Sequence, residues 1–282
     1  MRPLKHKIDR ASLETMYKSF VLPVMEYAVA VLDGSYDTDI LKLEGIHVNG
    51  IRLVTGAKAR SNISKLYDET SWLSIMDRRD NTMLTMLFKI KNRMTPDYLY
   101  ELLPPENHEH VRYNLRNNKN ISVPFTRLES FKRSFFPYSI RLWNALPDKK
   151  RSLVTVSEFK SSLHQNDKEV NVLYYYGERW AQIHHSRLRI GCSMLKADLY
   201  YKLHVIDSPT CRCGHPVENA EHFFLHCPLY NNIRVNLSTI ISRLSRLTIK
   251  TILFGDTSLD IDTNKIIFDV VHSYMRDSQR FD

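Results

Sequence analysis

Glycine is scarce, with eight residues in a chain of 282. That is too little turn punctuation for the many tight hairpins of a β-sandwich or barrel. No apolar run approaches the roughly 20 residues that a membrane-spanning helix needs. Residues 1–10 are charged and lead into an amphipathic segment, so no signal peptide is visible and a secreted protein is not expected.

Catalytic signatures are missing as well. There is no Asp-Asp pair on a hairpin turn flanked by Tyr and apolar strands, and no G-x-x-x-x-G-K-[ST] loop, G-x-S-x-G elbow or H-E-x-x-H helix. Asp33, Asp37 and Asp39 lie close together, but in a helix–helix turn where Asp serves as a cap. His184 and His185 are adjacent on a helix, so their side chains point apart and read as structural. The expectation is that this chain, by itself, is not an enzyme.

What is present is enough for a core. Hydrophobic residues make up 43% of the chain, and the length suits one large or two small domains. Apolar residues recur at helical spacing over 11–32, with Pro23 predicting a kink or break near Leu22. A second helix starts at Asp37 or Thr38 and stops at Gly56; a third runs over 73–94; a short fourth follows Thr95-Pro96. The alternation over 113–115 and 121–123 allows a short hairpin. Residues 134–146 read as an aromatic helix ended by Pro147, and Ser157 caps another. Further helical patterns cover about 173–206, 218–226, 229–246 and 263–277. The fold expected is mainly α, a helical two-lobe protein with at most a short β-hairpin and a small Cys/His zinc-binding loop. Its divisions fall at 1–105, 106–166 and 167–282, the last containing a knuckle-like module at about 208–230.

The formal net charge is +9, and its location matters more than its size. Residues 111–151 hold Arg112, Arg116, Lys119, Arg127, Lys132, Arg133, Arg141, Lys149, Lys150 and Arg151 against only Glu129 and Asp148. Such a cationic stretch attracts polyanions, phosphate backbones above all. Phe125, Phe131, Phe135, Phe136, Tyr138 and Trp143 are interleaved with these charges. Aromatic faces stack on unpaired bases, but Phe135, Phe136, Ile140, Leu142 and Trp143 are read here as core with a solvated basic face around them.

Three of the four cysteines cluster beside histidines in the pattern C-x-C-x8-H-x4-C: Cys211, Cys213, His222 and Cys227. Two close pairs separated by a loop supply four ligands for a tetrahedral zinc ion, with no open position for a water nucleophile. Gly214 permits a tight turn after the first pair. His222 and Cys227 are five residues apart, so the helix must stop between them, and Pro228 favours that stop. His215 and His226 are alternative ligands; a set of free thiols beside a surface histidine is the bland alternative.

Several runs resemble the C-terminal end of a non-LTR (LINE-type) retrotransposon reverse transcriptase. Residues 13–28, with Tyr17, Lys18, Pro23, Glu26 and Tyr27, look like the segment downstream of its polymerase domain. So do Leu43-Glu44, residues 51–57, Arg116-Asn117 and residues 136–147. Residues 186–192, and 211–230 with Glu218, His222, Phe223, Cys227 and Pro228, are similar to the family's terminal zinc-binding module, and Gly255, Asp256, Asn264 and Phe268 to its tail. The resemblance implies an upstream endonuclease and polymerase in the parent. It also implies zinc at Cys211, Cys213, His222 and Cys227, and RNA or DNA as partner alongside the missing polymerase portion; the clustered cysteines and the lack of a visible signal peptide point separately to cytoplasm or nucleus. The rival expectation is an inert fragment or interaction scaffold.

Overall fold

A computed structural model describes residues 2–27, 37–107, 119–163 and 169–281. Among them every named element is helical and no strand is named. The expected mainly α fold is the one observed.

The first helical pattern changes at Leu22, where the kink or break was expected. Helix α1 (Arg10–Met16) passes into a π-turn (Tyr17–Val21) before α2 (Leu22–Glu26). Pro23 has no N–H to return to the carbonyl of Ser19, and its ring crowds that carbonyl, so the turn before it widens. Helix α3 (Asp37–Thr55) ends at Gly56, whose φ of 77° supplies the left-handed stop. Helix α4 (Ile63–Thr70) was not anticipated, although Asn62 caps it by accepting from the Lys65 N–H at 3.2 Å. Helix α5 (Ile75–Lys91) starts at a reciprocal Ser74–Asp77 cap. Short helices α6 (Asp97–Glu101) and α7 (Glu129–Lys132) precede the aromatic helix α8 (Phe135–Ala145) and α9 (Asp148–Arg151). Helix α10 (Val156–Leu163) begins earlier than expected, because Thr155 and not Ser157 accepts the Glu158 N–H. After it come α11 (Arg179–Ile190), α12 (Lys196–Tyr201), α13 (Asn231–Leu244), α14 (Ile249–Phe254) and α15 (Ile261–Asp277). Helix α14 was also unanticipated; Thr248 caps it.

Among the described residues one isolated antiparallel bridge, Glu106 to Ile121, stands where the second strand of the expected hairpin begins. The hairpin's expected first strand, 113–115, lies outside the described residues. No described helix is long and apolar enough to cross a membrane.

The residues group into two compact units that interleave in sequence, where the sequence reading drew linear divisions at 105 and 166. Unit 1 is Met1–Phe20, Val48–Trp72 and Glu169–Asp282; unit 2 is Val21–His47 and Leu73–Lys168. In unit 2, α5 packs on α8 and α10. Leu87, Phe88, Ile140, Trp143 and Phe159 are fully buried there, with Phe88 stacked on Phe159 at 4.5 Å. Unit 1 buries Phe223, Phe224, Leu237, Ile252, Phe268 and Met275 between α13, α14 and α15. A buried ion triad joins α1, α4 and α11: Glu69 takes Arg10 Nη1 at 2.7 Å and Arg189 Nη2 at 2.6 Å.

Candidate metal centre

The Cys/His segment folds around two local devices. Gly214 adopts φ 91°, which returns the chain so that its N–H reaches the Cys211 carbonyl at 3.0 Å and the Cys211 N–H reaches that of His215 at 2.9 Å. An added Cβ on Gly214 would meet nothing within 4 Å, so backbone conformation alone selects glycine there. On the far side, a π-turn (His222–His226) stops before Cys227, whose ψ of 120° is extended. The expected stop between the two ligands is therefore present, next to Pro228.

These turns bring four donors together. The ligand atoms of Cys211, Cys213, His222 and Cys227 all lie within 4.8 Å of one another, so the four can hold a metal ion. Cys211 Sγ and Cys227 Sγ are 3.7 Å apart, and Cys213 Sγ is 3.3 Å from His222 Nε2. Sulfurs about 2.3 Å from a tetrahedral ion would stand about 3.8 Å apart, which matches, and a disulfide would need about 2 Å. All four cysteines are free thiols.

The surroundings fix the frame. Phe223 and Phe224 are rooted in the unit 1 core. The Tyr274 hydroxyl donates to the Phe223 carbonyl at 2.7 Å, and Arg234 donates to the carbonyls of Phe224 and Cys227. Asn219 accepts the His222 N–H at 2.7 Å. His215 stacks on His222 with ring centroids 4.1 Å apart, while its Nδ1 faces the Val217 backbone. His226 is exposed and outside the group. Buried Glu218 takes both Arg280 Nε and Nη2, at 2.9 and 2.6 Å, and the Lys196 N–H at 3.0 Å, tying the loop to the chain's end and to α12. Asn219 and His215 were not singled out for these roles; the Asn-x-x-His capping spacing was the available signal for the first.

Electrostatics favour an added cation. Burial pushes the Cys227 thiol up to about 12 and raises that of Cys211, whereas the His215 N–H holds Cys213 below its usual value. Burial, with His215 nearby, lowers His222, which keeps its imidazole in the neutral, ligating form. Without a positive ion, two of these thiols keep their protons; a divalent cation displaces them on binding.

The basic segment is less uniform than its composition. Arg112 and Arg116 lie outside the described residues. Arg151 is committed to Asp148 and Asn120, Lys150 to the Ser162 carbonyl at 2.7 Å and Arg141 to the Lys132 carbonyl. Lys132 and Arg133 sit at 3.4 and 3.5 Å from Glu129. Lys119, Arg127 and Lys149 are exposed and pair with nothing among the described residues. Trp143 and Ile140 are core, while Phe125 is 89% and Phe131 46% exposed. His185, by contrast, is internal: its Nδ1 meets His272 Nε2 at 3.1 Å and its Nε2 the Ile252 carbonyl at 3.0 Å.

A scan against protein-family models and searches of curated proteins and of solved structures found no match to this chain.

Proposed function

We propose that the chain is a nucleic-acid-binding C-terminal portion of a non-LTR retrotransposon reverse transcriptase, without polymerase or endonuclease chemistry of its own. In this reading Cys211, Cys213, His222 and Cys227 bind a structural zinc ion. The observation that carries it is the convergence of three sulfurs and one imidazole from the very segment that resembles the family's terminal module. Soft thiolates in a four-donor set suit zinc over harder cations, and four protein ligands leave no position for substrate. The free cations Lys119, Arg127 and Lys149, on the same unit as exposed Phe125 and Phe131, support a single strand as the partner. The protein then works in cytoplasm or nucleus, where clustered cysteines remain reduced.

Two measurements test this. A cobalt-substituted sample is expected to show the absorption of tetrahedral Cys3His ligation. Titration of labelled single-stranded RNA is expected to weaken steeply between low and physiological salt. Affinity that does not change with salt refutes the nucleic-acid reading; a cobalt spectrum without thiolate charge transfer refutes the metal assignment.

A scaffold reading is favoured by one observation. In unit 2, Val24, Tyr27 and Leu41 are 74%, 82% and 68% exposed, apolar side chains that the absent polymerase portion would cover. Self-association in sedimentation, abolished by Val24→Asp with Tyr27→Asp, supports it; a monomer at all concentrations removes it.

A further inference from the structure

Unit 1 carries a group of cations that are no part of the mid-chain basic segment, and it lies around the last turn of α11. A cavity of about 330 Å³ is lined there by Arg60, Ser61, Asn62, Lys65, Ile190, Gly191 and Lys202. Arg187, one turn before Gly191, spends its Nε on the Gly56 carbonyl at 2.9 Å, and neither terminal nitrogen has a partner among the described residues. Lys58 reaches only weak acceptors, the Ser193 carbonyl at 3.5 Å and the Met194 sulfur at 3.0 Å. The Lys5 ammonium has no hydrogen-bond or ion-pair partner among the described residues, and Lys65 is exposed and equally free. One carboxylate is bonded to any member of this group, Asp198 on Lys202 at 2.7 Å.

The group is held together against its own repulsion. Burial lowers Lys5 and Lys58, and Arg187 pushes both down further; Arg179 adds to the effect on Lys5. Six like charges with Asp198 as the one carboxylate bonded among them leave a positive excess that a polyanion relieves. The cations come from the N-terminal segment (Lys5), the 56–62 loop (Lys58, Arg60), α4 (Lys65), α11 (Arg187) and the cap of α12 (Lys202), a spread of positions that suits successive phosphates of a strand.

We propose that Lys5, Lys58, Arg60, Lys65, Arg187 and Lys202 form a second phosphodiester-binding surface, on the same unit as the Cys/His cluster. The proposal rests on the nucleic-acid reading above but places contacts where composition did not. The test is fluorescence anisotropy of labelled single-stranded RNA with the full chain, over a range of salt. The variant K58Q/R60Q/K65Q is compared with R127Q/K132Q/K149Q and with a control of equal charge, K42Q/K250Q/K265Q. Loss of three phosphate contacts is expected to reduce the log–log salt slope by about 2 and to weaken low-salt binding roughly tenfold or more. Lys65→Gln alone, at an exposed position, is expected to reduce the slope by about 0.7, which keeps the test valid should the triple variant fold poorly. A K58Q/R60Q/K65Q variant that binds like the control, while the mid-chain variant loses affinity, overturns the surface and leaves nucleic-acid binding standing. A wild-type chain that ignores RNA at low salt overturns both.

Discussion

Replacing Glu69 by alanine removes the single carboxylate between two buried guanidiniums. Arg10 is 1% and Glu69 4% exposed, and the Arg189 side chain 2%. Glu69 accepts from Arg10 Nη1 at 2.7 Å and from Arg189 Nε and Nη2 at 2.9 and 2.6 Å, and its backbone carbonyl takes Arg10 Nη2 at 2.7 Å. Burial pushes the Glu69 carboxyl up, yet Arg189 and Arg10 outweigh it and hold the group below its usual value. The alanine variant leaves both cations in place without an anion. Breaking a buried pair in this way costs about 3–5 kcal/mol, against a total stability of about 5–15 kcal/mol. At about 2–4 °C per kcal/mol for a domain of this size, Tm is expected to fall by about 6–20 °C. Circular dichroism melts of wild type and variant measure this directly. Replacing the whole triad, as R10M/E69L/R189M, is expected to recover much of the loss, since a pair traded for apolar residues is often neutral. A melting point within 2 °C of wild type for Glu69→Ala, or a triple variant worse than the single, would refute the account of the triad as an interdependent charge unit.

Chelation is expected to lower the melting temperature of unit 1 and to be reversed by added zinc; Cys227→Ser is expected to reproduce the loss and abolish the response to chelator, as read by melts with and without metal. Acid should weaken the fold through histidines kept neutral by burial. His272 and His184 are lowered to about 4, and His185 well below its ordinary value. Because the unfolded chain binds these protons first, stability is complete above about pH 6.5 and is lost as pH falls toward 4. His272 alone contributes about 3 kcal/mol of that loss, and denaturant titrations at several pH values should show a flatter slope in His272→Asn. Gly255→Ala is expected to destabilise by about 1–3 kcal/mol, since Gly255 holds φ 77° and an added Cβ would stand 2.6 Å from Asn264 Oδ1, which accepts the Asp256 N–H. Trp143→Ala should cost about 3–5 kcal/mol by emptying the space against Phe88 and Phe159 in unit 2; an equal denaturation midpoint for variant and wild type would count against its place in that core.

Local signals carried most of the helical layout. Asp9, Ser74 and Asp260 cap their helices through their own side chains, and Gly56 ends α3. Such devices act within a few residues and are visible in any sequence that contains them. The four metal-binding candidates were legible for the same reason, because a glycine turn and a proline stop position two close pairs without help from afar. Helices α4 and α14 were missed because they are only eight and six residues long, so the helical spacing of Ile63, Leu66 and Tyr67 and of Ile249, Ile252 and Leu253 is completed just once in each.

Long-range contacts settled the rest. No sequence spacing announces that Glu69 accepts from Arg10 and Arg189, residues 59 and 120 positions away, or that Lys5, Lys58 and Arg187 share one neighbourhood. Composition counted the mid-chain charges correctly but could not tell Arg151, bound to Asp148 and Asn120, from unpaired Arg127. Period, caps and turn residues are properties of neighbouring backbone, so the sequence determined them alone. Which charges end up buried, paired or left over depends on elements that meet only when the chain packs, and the tertiary structure decided that.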